Sequence, residues 1–533
     1  MFPTPDFVRR LSGDLQGDLF AFLPELLLCA TIVLMLLARL VPGLSRVHMA
    51  GFALGLSVLA LGSALWFWPE AWTSEGPVPV TGGKDGFGRL VVFDKFGLFL
   101  RVFLLGFLCL SLWLSLLTGI PDREDSADYA TLLVGGTLGM MLMASASHFL
   151  TAFLAIEMAS VPSYALAGFL KGRRQGSEAA LKYVVYGASA SGVMLYGISL
   201  ITGVYGTGSF PEITRAIASA HEGLSLPVMA GAVCVIVGLG FKLAAVPFHF
   251  WCPDVFEGAA AEVGAFLSVA SKAAALALTA RFLFALGGAT GDGRGEMAGS
   301  SLSMLWGVFA AITATFGNLA ALAQTNMKRL LAYSTIAHAG FMMLALVPIG
   351  PRAVGPVLYY ICAYLIMNLG AFTVVALVRN KTGSEELDAY RGLVRRSPLL
   401  AVAMAFFLLS LLGMPPLAGF AAKFQVFAVL YETGRVFGPD EVFAWVYFGL
   451  LVVAALNTAI SAGYYLRVVR AMTLDDPLDP EPIQVSVGGR ALVALLLGLV
   501  VAAGIFWNPL MQATESAARA FQKSPGSEAE VRK

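Results

Sequence analysis

Charged residues recur in this sequence inside apolar runs. Lys242 stands in VIVGLGFKLAAVPFHFW, Lys272 in AFLSVASKAAALALTARF and Lys423 in LLGMPPLAGFAAKFQVF. Glu157 stands in FLAIEMASVPSYALAGF and His338 in LAYSTIAHAGFMMLAL. A lysine or aspartate at the centre of a membrane helix costs about 2.5–3.5 kcal/mol on insertion scales, so such residues usually mark a function or a partner. The chemistry open to this set is proton transfer. Burial favours a neutral lysine, and a carboxylate within reach favours a charged one. A Glu–Lys pair at ~4 Å and an effective dielectric of ~20 interacts by about 4 kcal/mol. Moving one charge across a potential of ~150–200 mV costs about 4 kcal/mol as well. The two match, so separating Glu157 from a lysine can drive that lysine to release its proton against the membrane potential.

Each residue also has a plainer reading. His338 is read equally well as a hydrogen-bonding residue between helices. Lys182, in SEAALKYVVYG, follows Glu178 by four residues and suits an i,i+4 surface pair. Lys328 and Arg329 at a short connection suit topology anchors, and Lys95 and Arg101 can snorkel to the outer interface. Lys242, Lys272 and Lys423 resist such readings, because their apolar flanks are long and no acidic neighbour is in local reach. Prolines strengthen the case: Pro247 follows Lys242, and Pro415 with Pro416 precedes Lys423. Proline frees a carbonyl, which a membrane helix tolerates only where protein or water satisfies it. Two interrupted helices in two halves of a chain point to an ion pathway.

The elements that must position these residues are membrane helices. Hydrophobic residues make up 58% of 533 positions, charged residues 13%, and mean hydropathy is +0.78. Runs of about 20 apolar residues, the length needed to span, occur at 20–40, 47–68, 94–117, 129–146, 148–170, 180–203 and 227–247. Others occur at 262–286, 303–325, 329–349, 353–378, 398–430, 443–467 and 489–511, and the stretch 398–430 is long enough to be broken. The first run has no A-x-A-like cleavage site soon after it, so it reads as a retained helix. Residues 1–19 and 512–533 read as a polar N-terminus and tail. Across alternate connections, fifteen lysines and arginines fall on one side, among them Arg173, Lys328, Arg395, Arg396 and Arg490, against six on the other. The first side is therefore expected to be cytoplasmic, with both termini outside.

Other chemistries find little support. A net charge of +1 argues against a nucleic-acid partner. The five cysteines are scattered through apolar runs and read as small hydrophobes. There is no G-x-x-x-x-G-K-[ST], and the loop GGKDGFG at 82–88 follows nothing strand-like, so it reads as a turn. No histidine pair has haem- or metal-like spacing. The chain itself is expected to hold no cofactor, no metal and no redox centre.

The same residues carry a resemblance. FKLAAVPFHFWCPDVFEGAAAEVGAFLSVASKAAALAL at 241–278 resembles the signature of the antiporter-like subunits of respiratory complex I, the bacterial NADH–quinone oxidoreductase. AIEMASVPSYALAGF at 155–169, SEAALKYVVYGASASGVMLYG at 177–197 and LLGMPPLAGFAAKF at 411–424 agree, as do LPELLL at 23–28 and NLAALAQTNMKRLLAYSTIAHAGFMMLAL at 318–346. The resemblance implies an all-α membrane protein of about fourteen helices, with helices broken at Pro247 and Pro415–Pro416. It implies three N-terminal helices over 20–128 and two inverted five-helix repeats, over 129–286 and 303–467, before a last helix at 489–511. Glu157 and Lys242 would be the coupling pair, Lys272 the central relay and Lys423 the lysine of the second half-channel. Lys182, His249 and His338 match positions that assist the relay. The sequence departs from the pattern at Ala260, where proline is usual, at Glu262, where a small or apolar residue is common, and at Cys252, often threonine.

The resulting expectation is a proton-translocating membrane-arm subunit of a translocase, working with other membrane subunits of complex I, including neighbouring antiporter-like ones. NADH, FMN, iron–sulfur clusters and quinone would belong to its partners. Two alternatives stand beside it: a subunit of a multi-subunit cation/proton antiporter, and a structural scaffold whose lysines serve assembly.

Overall fold

The computed structural model describes residues 19–40, 49–66, 90–122, 125–170, 172–220, 224–287, 301–437 and 441–521. The turn expected at 82–88 and the basic residues Arg46, Lys84, Arg89, Arg123, Lys171 and Arg294 lie outside them.

Helices account for the architecture, and the β pairings among the described residues are isolated bridges such as Val91 with Ala146. The chain runs α1 (Leu23–Leu40), α2 (Met49–Trp66), α3 (Lys95–Thr118), α4 (Ser126–Ser145), α5 (Phe149–Ala167) and α6 (Arg174–Tyr205). A short amphipathic α7 (Phe210–Ala220) precedes α8 (Leu226–Leu243), α9 (Trp251–Gly258) and α10 (Ala261–Gly287). Then come α11 (Ser301–Ala321), α12 (Met327–Ala345), α13 (Pro351–Thr382), α14 (Pro398–Leu412), α15 (Ala418–Phe437), α16 (Val442–Thr473), α17 (Val487–Ile505) and α18 (Trp507–Ala518). Twelve of the described helices are long and apolar enough to cross a membrane. The expected run at 398–430 is divided between α14 and α15, and the run at 227–247 stops at Leu243. Residues 512–518, expected within a polar tail, continue α18.

Two sequence features set the interior. Helix α10 is apolar on every side and is buried along its length, as a helix without a polar face must be. In the two helical hairpins, glycines permit close approach. A Cβ on Gly139 of α4 would lie 2.6 Å from the Ala159 nitrogen of α5, and one on Gly317 of α11 would lie 2.5 Å from the Ala337 nitrogen of α12. Glu157 and Thr335 each stand two residues before that alanine.

Both interrupted helices break at prolines. Between α8 and α9 the chain passes through Pro247, and between α14 and α15 through Pro415 and Pro416. Gly413 ends α14 at φ 92°, a left-handed conformation that glycine adopts without penalty.

Candidate functional site

Lys242 is the penultimate residue of α8 and is 3% exposed. Its ammonium lies 6.0 Å from the centre of the Tyr164 ring. Glu157 is half-buried on α5, where it accepts a short hydrogen bond from Ser191 Oγ of α6. No ion pair at 4.0 Å or less joins Glu157 to a lysine among the described residues. The expected coupling pair is therefore brought to neighbouring helices and held apart, with Tyr164 beside the lysine.

Lys272, on the buried α10, donates to the main-chain oxygen of Lys242 at 3.4 Å and lies 4.9 Å from the centre of the Trp251 ring. Trp251 in turn stacks on Tyr183 at 4.2 Å and donates through Nε1 to Phe241 O at 3.0 Å. Lys423, on α15, donates to Leu412 O at 2.9 Å and lies 4.7 Å from the Phe341 ring centre. The two contacts share a physical cause. A helix ends with carbonyls that lack intrahelical donors and with a partial negative charge, and an interruption puts such an end inside the protein. Lys272 and Lys423 each meet one of these ends. Gly413 is needed here twice, because a Cβ on it would lie 2.9 Å from Lys423 Cδ.

His338 lies toward Lys423, against the same Phe341, with ring centres 6.4 Å apart. Its Nδ1 bonds the Tyr360 hydroxyl at 2.8 Å and its Nε2 the Tyr465 hydroxyl at 3.1 Å, and Tyr465 bonds Ser334 Oγ at 2.5 Å. Tyr364 donates to Thr335 Oγ1 at 2.9 Å, and Asn368, one turn further along α13, donates to Ser268 Oγ at 2.5 Å, one turn before Lys272. Hydroxyls and one imidazole thus line the space between Lys272 and Lys423. The tyrosines and Asn368 were not singled out in the sequence; their signal, polar groups in apolar runs, is weaker than that of a lysine.

Two relay candidates sit elsewhere. Lys182 bonds Glu178 at 2.9 Å, as the local spacing expects, and also Asp254 at 2.6 Å. Arg329 joins the same carboxylate at 3.0 Å and Glu257 at 2.6 Å, and these groups border a cavity of about 260 Å³ between α6, α9 and α12. His249 lies in the break after α8, packed on Phe316 at 4.5 Å, with no hydrogen-bond partner for Nδ1. Among the described residues it makes no hydrogen bond to Lys242, Lys272 or Lys423.

Some expectations are corrected. Arg101 does not snorkel: it is 4% exposed and pairs with Glu25 at 2.6 Å, whose attraction offsets the cost of taking its charge out of water. Lys328 is no surface anchor, being 1% exposed and bonded to Glu385 at 2.8 Å and Ala259 O at 2.7 Å. The unusual Glu262 has a partner, Arg379 at 3.1 Å. Glu262 opens α10 and Arg379 closes α13, so each charge also suits its helix end. Asp94 caps α3 through Gly97 N at 2.7 Å and binds Arg281 at 2.9 and 3.0 Å. Outside the spans, burial lowers the pKa of His148, against the pull of the Glu212 carboxylate. A neutral His148 can then accept from Leu150 N through Nδ1, at 3.0 Å, and cap α5.

The chain is similar to known proteins in sequence and in fold. Residues 146–442 match the family described as NADH:quinone oxidoreductase/Mrp antiporter, TM. NADH-quinone oxidoreductase subunit N of Anaeromyxobacter sp. (strain Fw109-5) is 44% identical over 75% of this chain and 79% of its own. NADH-quinone oxidoreductase subunit N 2 of Sorangium cellulosum (strain So ce56) is 41% identical over 93% of this chain and 96% of its own. A chain of respiratory complex I from Thermus thermophilus superposes with a TM-score of 0.73 and 31% identity, covering 92% of this chain and 99% of that one. A chain of the Mrp complex from Dietzia sp. DQ12-45-1b shares the fold, with a TM-score of 0.77 at 18% identity over 97% and 99%.

Proposed function

The chain belongs to the NADH:quinone oxidoreductase/Mrp antiporter family, and from that premise we propose that it is the proton-translocating subunit N of a bacterial NADH–quinone oxidoreductase. It is a multi-pass protein of the inner membrane and a part of a multi-subunit membrane complex. NADH, FMN, iron–sulfur clusters and quinone belong to the partner subunits, and the chain's own work is to hold and pass protons. Neighbouring antiporter-like subunits adjoin it in the membrane arm, both termini face the periplasm, and its helices form two inverted repeats.

The observation that carries this reading is the placement of Lys272 and Lys423 on the carbonyl ends of the two interrupted helices. A carbonyl end stabilises a charged lysine, and packing against an aromatic face does the same. Each lysine can therefore hold a proton in an interior that otherwise disfavours charge. Glu157 and Lys242 start the sequence. Approach of the carboxylate to Lys242 stabilises its charged form, and withdrawal to Ser191 releases the proton toward Lys272. The hydroxyls of Tyr364, Tyr360 and Tyr465, with His338, then span the way to Lys423, and through it to the outside. The cavity at Lys182, Asp254 and Arg329 opens on the basic face and gives protons their access from the cytoplasm. His249 assists from the break.

The cation/proton antiporter reading rests on shared fold, at 18% identity, and is weaker than 41% identity to a named oxidoreductase subunit. A Lys242→Met variant in membrane vesicles separates the readings. Assembly with NADH dehydrogenase activity and loss of NADH-driven proton uptake are expected. Intact pumping in the assembled variant would refute the path, and sodium-dependent proton flux in the absence of NADH would favour the antiporter.

A further inference from the structure

A pocket of about 280 Å³ opens where α14 and α17 begin, on the face richest in lysine and arginine. It is bordered by Ser397, Leu399, Ile483, Gln484, Val485 and Arg490. Ser397 is 7% exposed, it is the N-cap of α14, and its hydroxyl takes part in no hydrogen bond among the described residues. The first turn of α14 adds amide groups without intrahelical acceptors and the positive end of a helix dipole. Arg490, in the first turn of α17, is exposed and has no carboxylate partner among the described residues. Its basic neighbours differ. Arg395 pairs with Asp476 at 2.7 Å, Arg396 with Asp479 at 3.0 Å, Lys381 with Glu481 at 3.5 Å and Arg391 with Asp475 at 3.8 Å. No acidic residue borders the pocket.

We propose that this pocket binds the phosphate headgroup of an anionic phospholipid of the cytoplasmic leaflet, a site independent of the proton path but resting on the orientation given above. The unpartnered hydroxyl, the free amides and the unpaired guanidinium all donate, and a phosphate supplies oxygens to accept. Leu399, Ile483 and Val485 form an apolar wall that a free phosphate would not use. Further along α17, toward the membrane, Leu495 and Leu499 are exposed and can meet an acyl chain. Basic pockets between membrane helices on this face are where anionic headgroups bind.

The test uses the assembled complex in detergent with a photoreactive phosphatidylglycerol, followed by peptide mapping. Labelling of the segments around Leu399 or around 483–490 is expected in the parent, falling roughly five-fold in Arg490→Gln, since one basic side chain near a lipid surface is worth about that factor. Ser397→Ala lowers labelling further, and Arg490→Lys, which keeps the charge, restores most of it. Equal labelling in the parent and Arg490→Gln, or equal labelling by a zwitterionic phosphatidylcholine probe, would overturn the proposal. Suppression by millimolar inorganic phosphate would show that the pocket takes a free anion and would overturn the lipid assignment, whereas labelling unaffected by phosphate supports it.

Discussion

In a Glu262→Gln variant the Arg379 guanidinium, 7% exposed, keeps only neutral side-chain acceptors, the new amide oxygen and Asn380 Oδ1 at 2.8 Å, and loses its carboxylate. The parent pair is 3.1 Å apart, which at an effective dielectric of ~20 is an attraction of about 5 kcal/mol. Desolvation offsets part of that in the intact pair, yet removing one partner alone costs about 3–5 kcal/mol because the other charge stays buried. Arg379→Met should cost a similar amount for the same reason. The double variant, Glu262→Gln with Arg379→Met, strands no charge and should recover a coupling of about 2–3 kcal/mol. The assay is the half-life of the assembled complex at elevated temperature, read as NADH–quinone activity in membranes. Each single variant should shorten that half-life by about 10–100-fold, taking tenfold per 1.4 kcal/mol and partial expression in the unfolding rate, and the double variant should lose less than the product of the two single losses. The proton-to-electron ratio of the surviving complex should not change, since Glu262 lies ten residues from Lys272, about 15 Å along α10. Single variants within two-fold of the parent, or a double variant whose loss is the product of the singles, would refute the argument that the pair secures an unusual charge.

Two further outcomes follow from local geometry. Gly413→Ala imposes about 1–2 kcal/mol of left-handed strain and sets a methyl against Lys423 Cδ. It should lower NADH-driven proton flux in vesicles about ten-fold while the subunit still assembles, and unchanged flux would show that the Leu412 carbonyl does not hold the lysine. His148 has a pKa depressed by burial, so its capping contribution is present above the unfolded value of about 6.5 and is lost as pH falls through the lower folded value. Protection of the Leu150 amide, taken relative to its intrinsic exchange rate at each pH, should therefore fall on acidification from pH 7.5 to 5, and His148→Asn, which caps without titrating, should flatten that response. Equal slopes in the two would remove His148 from the cap.

Much of the site was legible because its parts are rare. A lysine in a long apolar run stands out at any distance from its partners, so Lys242, Lys272 and Lys423 declared themselves one at a time. Prolines in two of those runs marked the interruptions at Pro247 and Pro415–Pro416. The buried pairs were not legible. Arg101 and Glu25 are 76 residues apart, Arg379 and Glu262 are 117, and Arg281 and Asp94 are 187, so nothing local joins them. Arg101 looked like a snorkelling residue because it stands near the start of its run, and only the fold brings Glu25, from the first turn of α1, within reach to supply the carboxylate.

The sequence by itself determined that this chain lies in a membrane, where most of its helices run, and which titratable residues stand in apolar runs, because hydropathy and the cost of a buried charge act residue by residue. It also carried the family, in the motif around Lys242 and Lys272. Tertiary structure decided the rest. It set which carbonyl end receives which lysine, held Glu157 on Ser191 rather than on Lys242, and turned Lys182 toward Asp254. It also gave the odd charge at Glu262 an arginine from another helix. These are properties of distance and orientation between helices, fixed by glycine-permitted close approach and by the direction of each chain break, and a one-dimensional pattern does not contain them.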